Sequence, residues 1–316
     1  MKRVSRLQTT LFLDPAAGPV AEVAGGERFV IETADSLCGI AKEEAPRGHH
    51  IDEVILRLGG ACPVTGPVYV TGAEPGMALE VEIHRVTAFP VRGQAWTGIF
   101  GGFGALSHDS FGLQESLGSE TRLLEYNENV AYFNRQDGRV IEIPVQPFLG
   151  TVAVAPVRER RMSFSQSIEY LGDVDLAQVR AGATLVLPVN VPGALLLVGD
   201  AHAAQGDGEI TGAAVEIEAE AELSCRPLQV EAAGFLDLPQ LNTSTFIGSI
   251  GAFQGNDLTA CARAAYVDLV RRLVRYFGFT TSEAYQMLGQ VGRLQVGNMI
   301  DPFYSVLASI DRRYLK

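Results

Sequence analysis

The run ALLLVGDAHAAQGDGEITGAAVEIEAEAEL (194–223) decides how this chain is read. In its last third, Val215, Ile217, Ala219, Ala221 and Leu223 alternate with Glu216, Glu218, Glu220 and Glu222. That two-residue period is the mark of a strand with one buried and one wet face. The apolar run ALLLV (194–198) reads as a partner strand, and GDAHAAQGDGEITG (199–212) as the loop that joins the two. A hairpin closes with about two to five loop residues, so this loop is longer than closure requires. It is also rich in ligand-type side chains: Asp200, His202, Gln205, Asp207 and Glu209.

Outward from this pair the same period recurs. ERFVIETAD (27–35) follows a Gly-Gly turn, and ALEVEIHRV (78–86) sets Leu79, Val81 and Ile83 opposite Glu80, Glu82 and His84, which places His84 on a solvent face. AYFNRQDGRVIEIP (131–144) reads as a hairpin turning at Asp137-Gly138, and GTVAVAP (150–156) and TLVLPVNVPG (184–193) read as further strands. Helical spacing appears late. DLTACARAAYVDLVRRLVRYFG (257–278) puts Leu258, Cys261, Ala265, Leu269, Leu273 and Val274 near one face, with Asp257 as N-cap and Gly278 as stop. TTSEAYQMLGQVG opens on Thr280 and Glu283 at capping-box spacing. The expected fold is mainly β with a small α/β C-terminal part. Residues 1–230 form a β-sandwich or barrel-like body of many short strands, carrying the central loop. Residues 231–316 form a helical section whose two late helices pack on that body as part of one compact unit.

Composition narrows the function. The chain has 316 residues, 47% of them hydrophobic, enough for a large core. A net charge of −12 with no basic stripe argues against nucleic acid and against an anionic membrane surface. The opening MKRVSRLQTTLFLDP lacks an apolar h-region and no run of about 18 apolar residues occurs, so a cytoplasmic protein is expected. Cys38, Cys62, Cys225 and Cys261 are too far apart in sequence for a zinc ribbon or a redox dithiol, and read as reduced, mostly buried thiols. Cys62 has a second reading as a nucleophile.

The loop carries two readings on spacing alone. Asp200 and His202 are two apart at a strand end, so their side chains point to one side, and Asp207 and Glu209 share that spacing where the next strand begins. A hairpin would bring the four together around a divalent ion such as Zn²⁺, leaving a carboxylate free as general base. Alternatively the polar side chains cap the turns of an Asp- and Gly-rich loop.

The stretch LVLPVNVPGALLLVGDAHAAQGDGE resembles the acetamidase/formamidase family. PVTGPVYVTGAEPGMALEVEI (63–83), WTGIFGGFGAL (96–106), GTVAVAP (150–156) and AYQMLGQVGRLQVGNMIDP (284–302) are similar to further family segments in the same order. The resemblance implies a β-rich fold and hydrolysis of a short aliphatic amide, formamide- or acetamide-like, to ammonia and a carboxylate, with a divalent metal, zinc, in the site. It further implies His202, Asp200 and one of Asp173 or Asp175 as metal ligands, the last two lying in IEYLGDVDLAQV (168–179), where Asp173 stands in place of the family's asparagine. Glu209, or Asp207, is then the proton carrier, and Gln205 a substrate contact. The resemblance also implies a homodimer or higher homo-oligomer. The first 50 residues match poorly, although His49 and His50 could supply a ligand.

Other residues carry paired readings. Trp96 is either a pocket wall or packed core, and Phe103 in GGFG either contacts substrate or belongs to an ordinary turn. Glu74 in GAEPG is a site residue or plain turn chemistry. His108 and Asp109 follow the glycines as a possible substrate loop. GGFG is no dinucleotide fingerprint without a βαβ unit, and no G-x-S-x-G elbow occurs. The rival functions are a metal-independent amidase using Cys62 or a carboxylate as nucleophile, and a non-catalytic β-sandwich binding protein.

Overall fold

The computed structural model describes residues 1–47, 51–101, 103–106, 113, 117–234, 237–255, 257–300 and 302–315. The strands form two large sheets sharing one apolar core, plus a two-stranded ribbon of Phe12–Leu13 and Arg161–Met162. Strands outnumber helices as the sequence pattern requires, and the sheets do not close into a barrel.

The alternating run after the central loop does not stay in one sheet. Val215–Ile217 lies in the twelve-stranded sheet between Gly93–Ile99 and Leu196–Ala204. Ala219–Leu228 lies in the nine-stranded sheet between Arg28–Thr33 and Ala78–Ala88. Glu218 is the corner, and the two segments therefore bury different things. Beyond the corner, Glu220 and Glu222 lie on the outer face and meet Arg3 at 2.6 Å and Arg28 at 3.2 Å. Leu223, Val81 and Ile83 lie on the inner face, fully buried. Glu216, before the corner, is itself buried. The expectation of one wet glutamate face holds only past Glu218, because the partner strands change there.

Leu196–Ala204 is the central strand of the twelve-stranded sheet. One edge pairs with Phe148–Ala153; the other pairs first with Val64–Val70 and then with Val215–Ile217. The strand thus runs six residues further than ALLLV suggests. Asp200 and His202 are strand residues, and the true connection is 205–214.

Residues 1–230 are not purely β. Ile40–Glu44 and Ile51–Leu58 are short helices, and Leu37, Ala41, Ile51 and Val54 pack with Trp96 and Phe100 in a separate small core. Toward the other end, Phe246–Gln254 and Phe303–Asp311 extend the nine-stranded sheet in full antiparallel register. The helices Leu258–Phe277 and Thr281–Val291 cover that end of the sheet through Cys261, Ala265, Leu269, Leu273, Ala284 and Leu288. Their ends follow the sequence signals. Asp257 accepts from the Ala260 amide at 2.7 Å, Gly278 stops the first helix at φ 74°, and Thr280 with Glu283 forms a capping box. Val274, expected on the buried face, is exposed. No helix among the described residues is long and apolar enough to cross a membrane. His84, expected on a wet face, is half-buried, with Nε2 2.8 Å from the Ser224 hydroxyl.

Candidate active site

Pairing in the twelve-stranded sheet sets four residues in a row across adjacent strands. Phe148 is opposite His202, His202 opposite Glu216, and Glu216 opposite Trp96. Directly opposed residues share a face, so this register alone carries a carboxylate to the imidazole. The Phe148 ring meets the imidazole edge to face, with centroids 5.1 Å apart. His202 Nε2 then lies 2.9 Å from Asp200 Oδ2, 3.4 Å from Glu216 Oε1 and 3.9 Å from Glu209 Oε1.

The other face of the imidazole is set by Gln205. Its side-chain amide donates to the Asp175 carbonyl at 2.7 Å and the Gly297 carbonyl at 3.1 Å, which commits its nitrogen. Oε1 therefore faces His202 Nδ1, 2.9 Å away, as an acceptor. Nδ1 must carry hydrogen, and Nε2 is the nitrogen presented to the carboxylates.

Backbone strain concentrates here. Cys62, Asp175, Asp200 and Glu209 all adopt positive φ, between 46° and 54°, which non-glycine residues occupy only when the surroundings hold them. Gly150 is one such support. Its carbonyl accepts from the Val174 and Asp175 amides at 3.1 and 3.2 Å, and a Cβ on it would overlap the carboxylates of Asp200 and Asp175. Gly208, at φ 86°, exchanges backbone hydrogen bonds with Val296 and Met299, pinning the 205–214 connection to the segment carrying Asn298. Asn298 donates to Asp175 Oδ2 at 2.8 Å. Ser36 donates to Glu216 Oε2 at 2.6 Å, the Ala214 amide to Glu216 Oε1 at 3.0 Å, and Thr151 to Asp173.

Five carboxylates and one imidazole are thus buried together, and their electrostatics call for a cation. Burial, with Asp175 and Asp200 nearby, pushes Asp173 well above the ordinary carboxylate range. Burial, with Asp200, raises Asp175 to about 7. Burial also raises Glu209, helped by Asp175, and Glu216, helped by Asp200. Asp200 is buried too, yet His202 beside it holds it below the ordinary range. Burial alone would lower His202; Glu216 and Asp200 instead raise it well above its usual value. The cluster draws positive charge to Nε2, as a proton or as a metal ion.

The donor set fits a metal ion. Asp175 Oδ1, Asp200 Oδ1 and His202 Nε2 are buried and have no hydrogen-bond partner. Ligating atoms of Asp175, Asp200 and His202 lie within 4.8 Å of one another, as do those of His202, Glu209 and Glu216 and those of Cys62, Asp173 and Asp200. One imidazole nitrogen among carboxylate oxygens suits zinc or a similar divalent ion.

Asp173, Asp200, Glu209 and Glu216 form the floor of a cavity of about 500 Å³. Its walls are apolar, with Leu37, Ile55, Trp96, Phe103, Phe164 and Phe303 among them. Trp96 and Phe103 therefore line the cavity, although Trp96 is also fully buried core. Gln205 acts on His202 from outside this cavity and is not among its lining residues. Asp207 and Glu74 stand apart. Asp207 is exposed at the tip of the 205–214 connection, where Gly206 and Gly208 turn the chain outward, and Glu74 is exposed in a turn closed by a bond from the Met77 amide to its carbonyl. The pair spacing that joined Asp207 to Glu209 does not apply, because no strand runs through them.

Cys62 lines the cavity, and its sulfur lies within 4.8 Å of a carboxylate oxygen of Asp200 and of Asp173. Burial, then Asp200 and Asp173, hold that thiol well above its ordinary value, the reverse of what activates a thiolate nucleophile. The four cysteines are free; Cys225 and Cys261 are buried, Cys62 is half-buried and Cys38 is exposed. His49, His50, His108 and Asp109 lie outside the described residues.

Sequence reasoning did not find Glu216, Asn298 or Ser36. Glu216 is one of four identical steps in an alternating run, and no local signal separates it from the rest.

The chain matches known proteins over nearly its whole length. The acetamidase/formamidase family pattern matches residues 13–171 and 165–302. A Schizosaccharomyces pombe protein whose name reads "Putative formamidase" is 26% identical over 291 residues, covering 71% of this chain and 70% of that one. The crystal structure of an acetamidase from Bacillus halodurans superposes with a TM-score of 0.84 at 28% identity, over 99% of this chain and 98% of that one. An acetamidase from Yersinia enterocolitica gives 0.88 at 27% identity, over 100% and 93%. With the sequence pattern and the fold in agreement, the chain belongs to the acetamidase/formamidase family.

Proposed function

We propose that this protein hydrolyses a primary amide: water adds to the carbonyl carbon, the C–N bond breaks, and ammonia and a carboxylate leave. The observation that carries this reading is the imidazole nitrogen of His202, fully buried behind the carboxylates of Asp200, Glu216 and Glu209, which themselves line the cavity. Family membership supports the same reaction.

His202, Asp200 and Asp175 would hold a divalent ion, zinc by the character of the donors, with Gln205 and Asn298 fixing the His202 tautomer and the Asp175 carboxylate. When bound, the ion supplies Lewis acidity toward the amide oxygen and toward water. Glu209 is the proton carrier. It lines the cavity, lies near His202 without touching it, and its backbone is anchored through Gly208. It takes a proton from the attacking water and returns it to the leaving nitrogen, which departs with the C–N electron pair. The apolar wall excludes bulk water from these charges. We further propose that the working unit is a homo-oligomer in the cytoplasm.

Ammonia release from an amide panel, before and after chelation and again after zinc is restored, tests this. Activity that falls on chelation and returns with metal is expected; turnover unchanged by full metal removal would overturn the metal-assisted reading.

A further inference from the structure

We infer that the amide taken by this site carries a bulky, uncharged aromatic group on its acyl side, an arylalkyl primary amide in place of formamide or acetamide. This rests on the amidase reading and adds to it the class of substrate.

The first observation is size. The cavity holds about 500 Å³. Formamide and acetamide, at three and four heavy atoms, fill on the order of two or three water volumes, roughly 60–90 Å³. A cavity of this size falls in the range that encloses a drug-sized ligand. A small amide at the carboxylate floor would leave most of it to water against an apolar wall.

The second observation is the chemistry of that wall. Phe100 and Phe103 meet edge to face at 5.9 Å and 86°, Phe103 and Phe303 at 6.5 Å and 73°, and Phe303 and Phe164 at 5.9 Å and 89°. All four rings line the cavity, with Trp96 beside them. A chain of edge-to-face rings offers faces and edges to one more ring, the arrangement aromatic pairs prefer. No lysine or arginine occurs among the described lining residues, and the rings they contribute favour an uncharged acyl group.

The third observation orients the ligand. The floor consists of Asp173, Asp200, Glu209 and Glu216, whose carboxyl groups keep hydrogen-bond acceptor oxygens in either protonation state. An amide NH₂ brings two donors, so the nitrogen belongs at the floor and the acyl substituent against the rings. An N-aryl amide would reverse this and place apolar surface on the carboxylates.

Two measurements on the zinc-loaded enzyme decide the assignment. In the first, kcat/KM is compared for formamide, acetamide, 3-phenylpropanamide and acetanilide, scored by ammonia or aniline. We expect 3-phenylpropanamide to exceed acetamide by at least about thirtyfold, given what burial of a ring contributes. Acetamide or formamide equal to or better than the aryl amide, or acetanilide preferred over it, would overturn the assignment and leave the amidase reading intact. No product from any of the four would overturn the amidase reading and this one with it. In Phe303→Ala, or Phe164→Ala if that variant fails to fold, the ratio of 3-phenylpropanamide to acetamide should fall at least about fivefold; an unchanged ratio counts against the assignment. In the second measurement, Trp96, the only tryptophan of the chain, reports on occupancy. Its fluorescence should change saturably with 2-phenylethanesulfonamide, a non-hydrolysable analogue of the same shape that keeps the NH₂ donors, at concentrations where methanesulfonamide has no effect. Equal responses to the two sulfonamides, or none to the aryl one, would overturn it.

Discussion

Glu216 stands directly opposite His202 across adjacent antiparallel strands, its Oε1 3.4 Å from Nε2, while its other oxygen accepts from Ser36. Glu218, two residues on, is bonded instead to Arg6 at 2.6 Å. Two glutamates in one alternating run thus do unrelated work, because the chain passes from one sheet to the other between them. The buried one adds a carboxylate to the cluster around His202. The other ties down the N-terminal segment.

His202→Ala should abolish metal binding and also weaken the fold. The side chain is fully buried within a strand and packed on Phe148, so its loss leaves both a cavity and carboxylates without a counter-charge. Destabilisation on the order of 2 kcal/mol is expected, even when both proteins are measured in chelator. Elemental analysis and denaturant unfolding report the two effects separately; full metal content in the variant would remove His202 from the ligand set.

Gln205→Leu should leave the fold intact and weaken metal affinity about 10–100-fold, the usual effect of losing an outer partner of a ligating histidine. Without Oε1 as acceptor, nothing selects the tautomer that presents Nε2. Competition with a chelator of known affinity measures the change. Parent-like affinity would show that the Gln205 contact does not orient the imidazole.

Glu209→Gln should retain metal and lose at least about a hundredfold in kcat, since the amide keeps size and hydrogen-bonding reach but cannot accept a proton. Metal content and turnover are read on the same preparation. Loss of metal would make Glu209 a ligand, and normal turnover would end its role as proton carrier.

Cys62→Ser should change kcat/KM by less than about tenfold, whereas removal of a true nucleophile costs roughly 10⁴-fold or more. A collapse of activity with metal and fold intact would restore the thiol mechanism.

Light scattering at low micromolar concentration should give a mass at least twice the chain's 33.9 kDa. Symmetric homo-oligomers are the usual solution, and the late helices leave Val267, Val274 and Tyr285 exposed. A clean monomer mass would dismiss the expectation.

What the sequence determined by itself was whatever local physics decides. The period-two runs specified strands such as Arg28–Thr33, Ala78–Ala88 and Ala219–Leu228, Asp257 and Gly278 bounded the long helix, and Thr280 with Glu283 started the next, because each signal acts within one turn or one strand. The same locality, together with the family resemblance, singled out Asp200, His202 and Glu209. The tertiary structure alone decided what faces them. Glu216 reaches His202 through strand register, Asn298 reaches Asp175 across 123 residues of chain, and Ser36 reaches Glu216 across 180. Glu74 and Asp207 are turned out to solvent, so at these two positions the structure selects the turn reading over the site reading. The period of a strand says which residues share a face; only pairing between distant strands says what that face is opposite, and a buried site is made of such pairings.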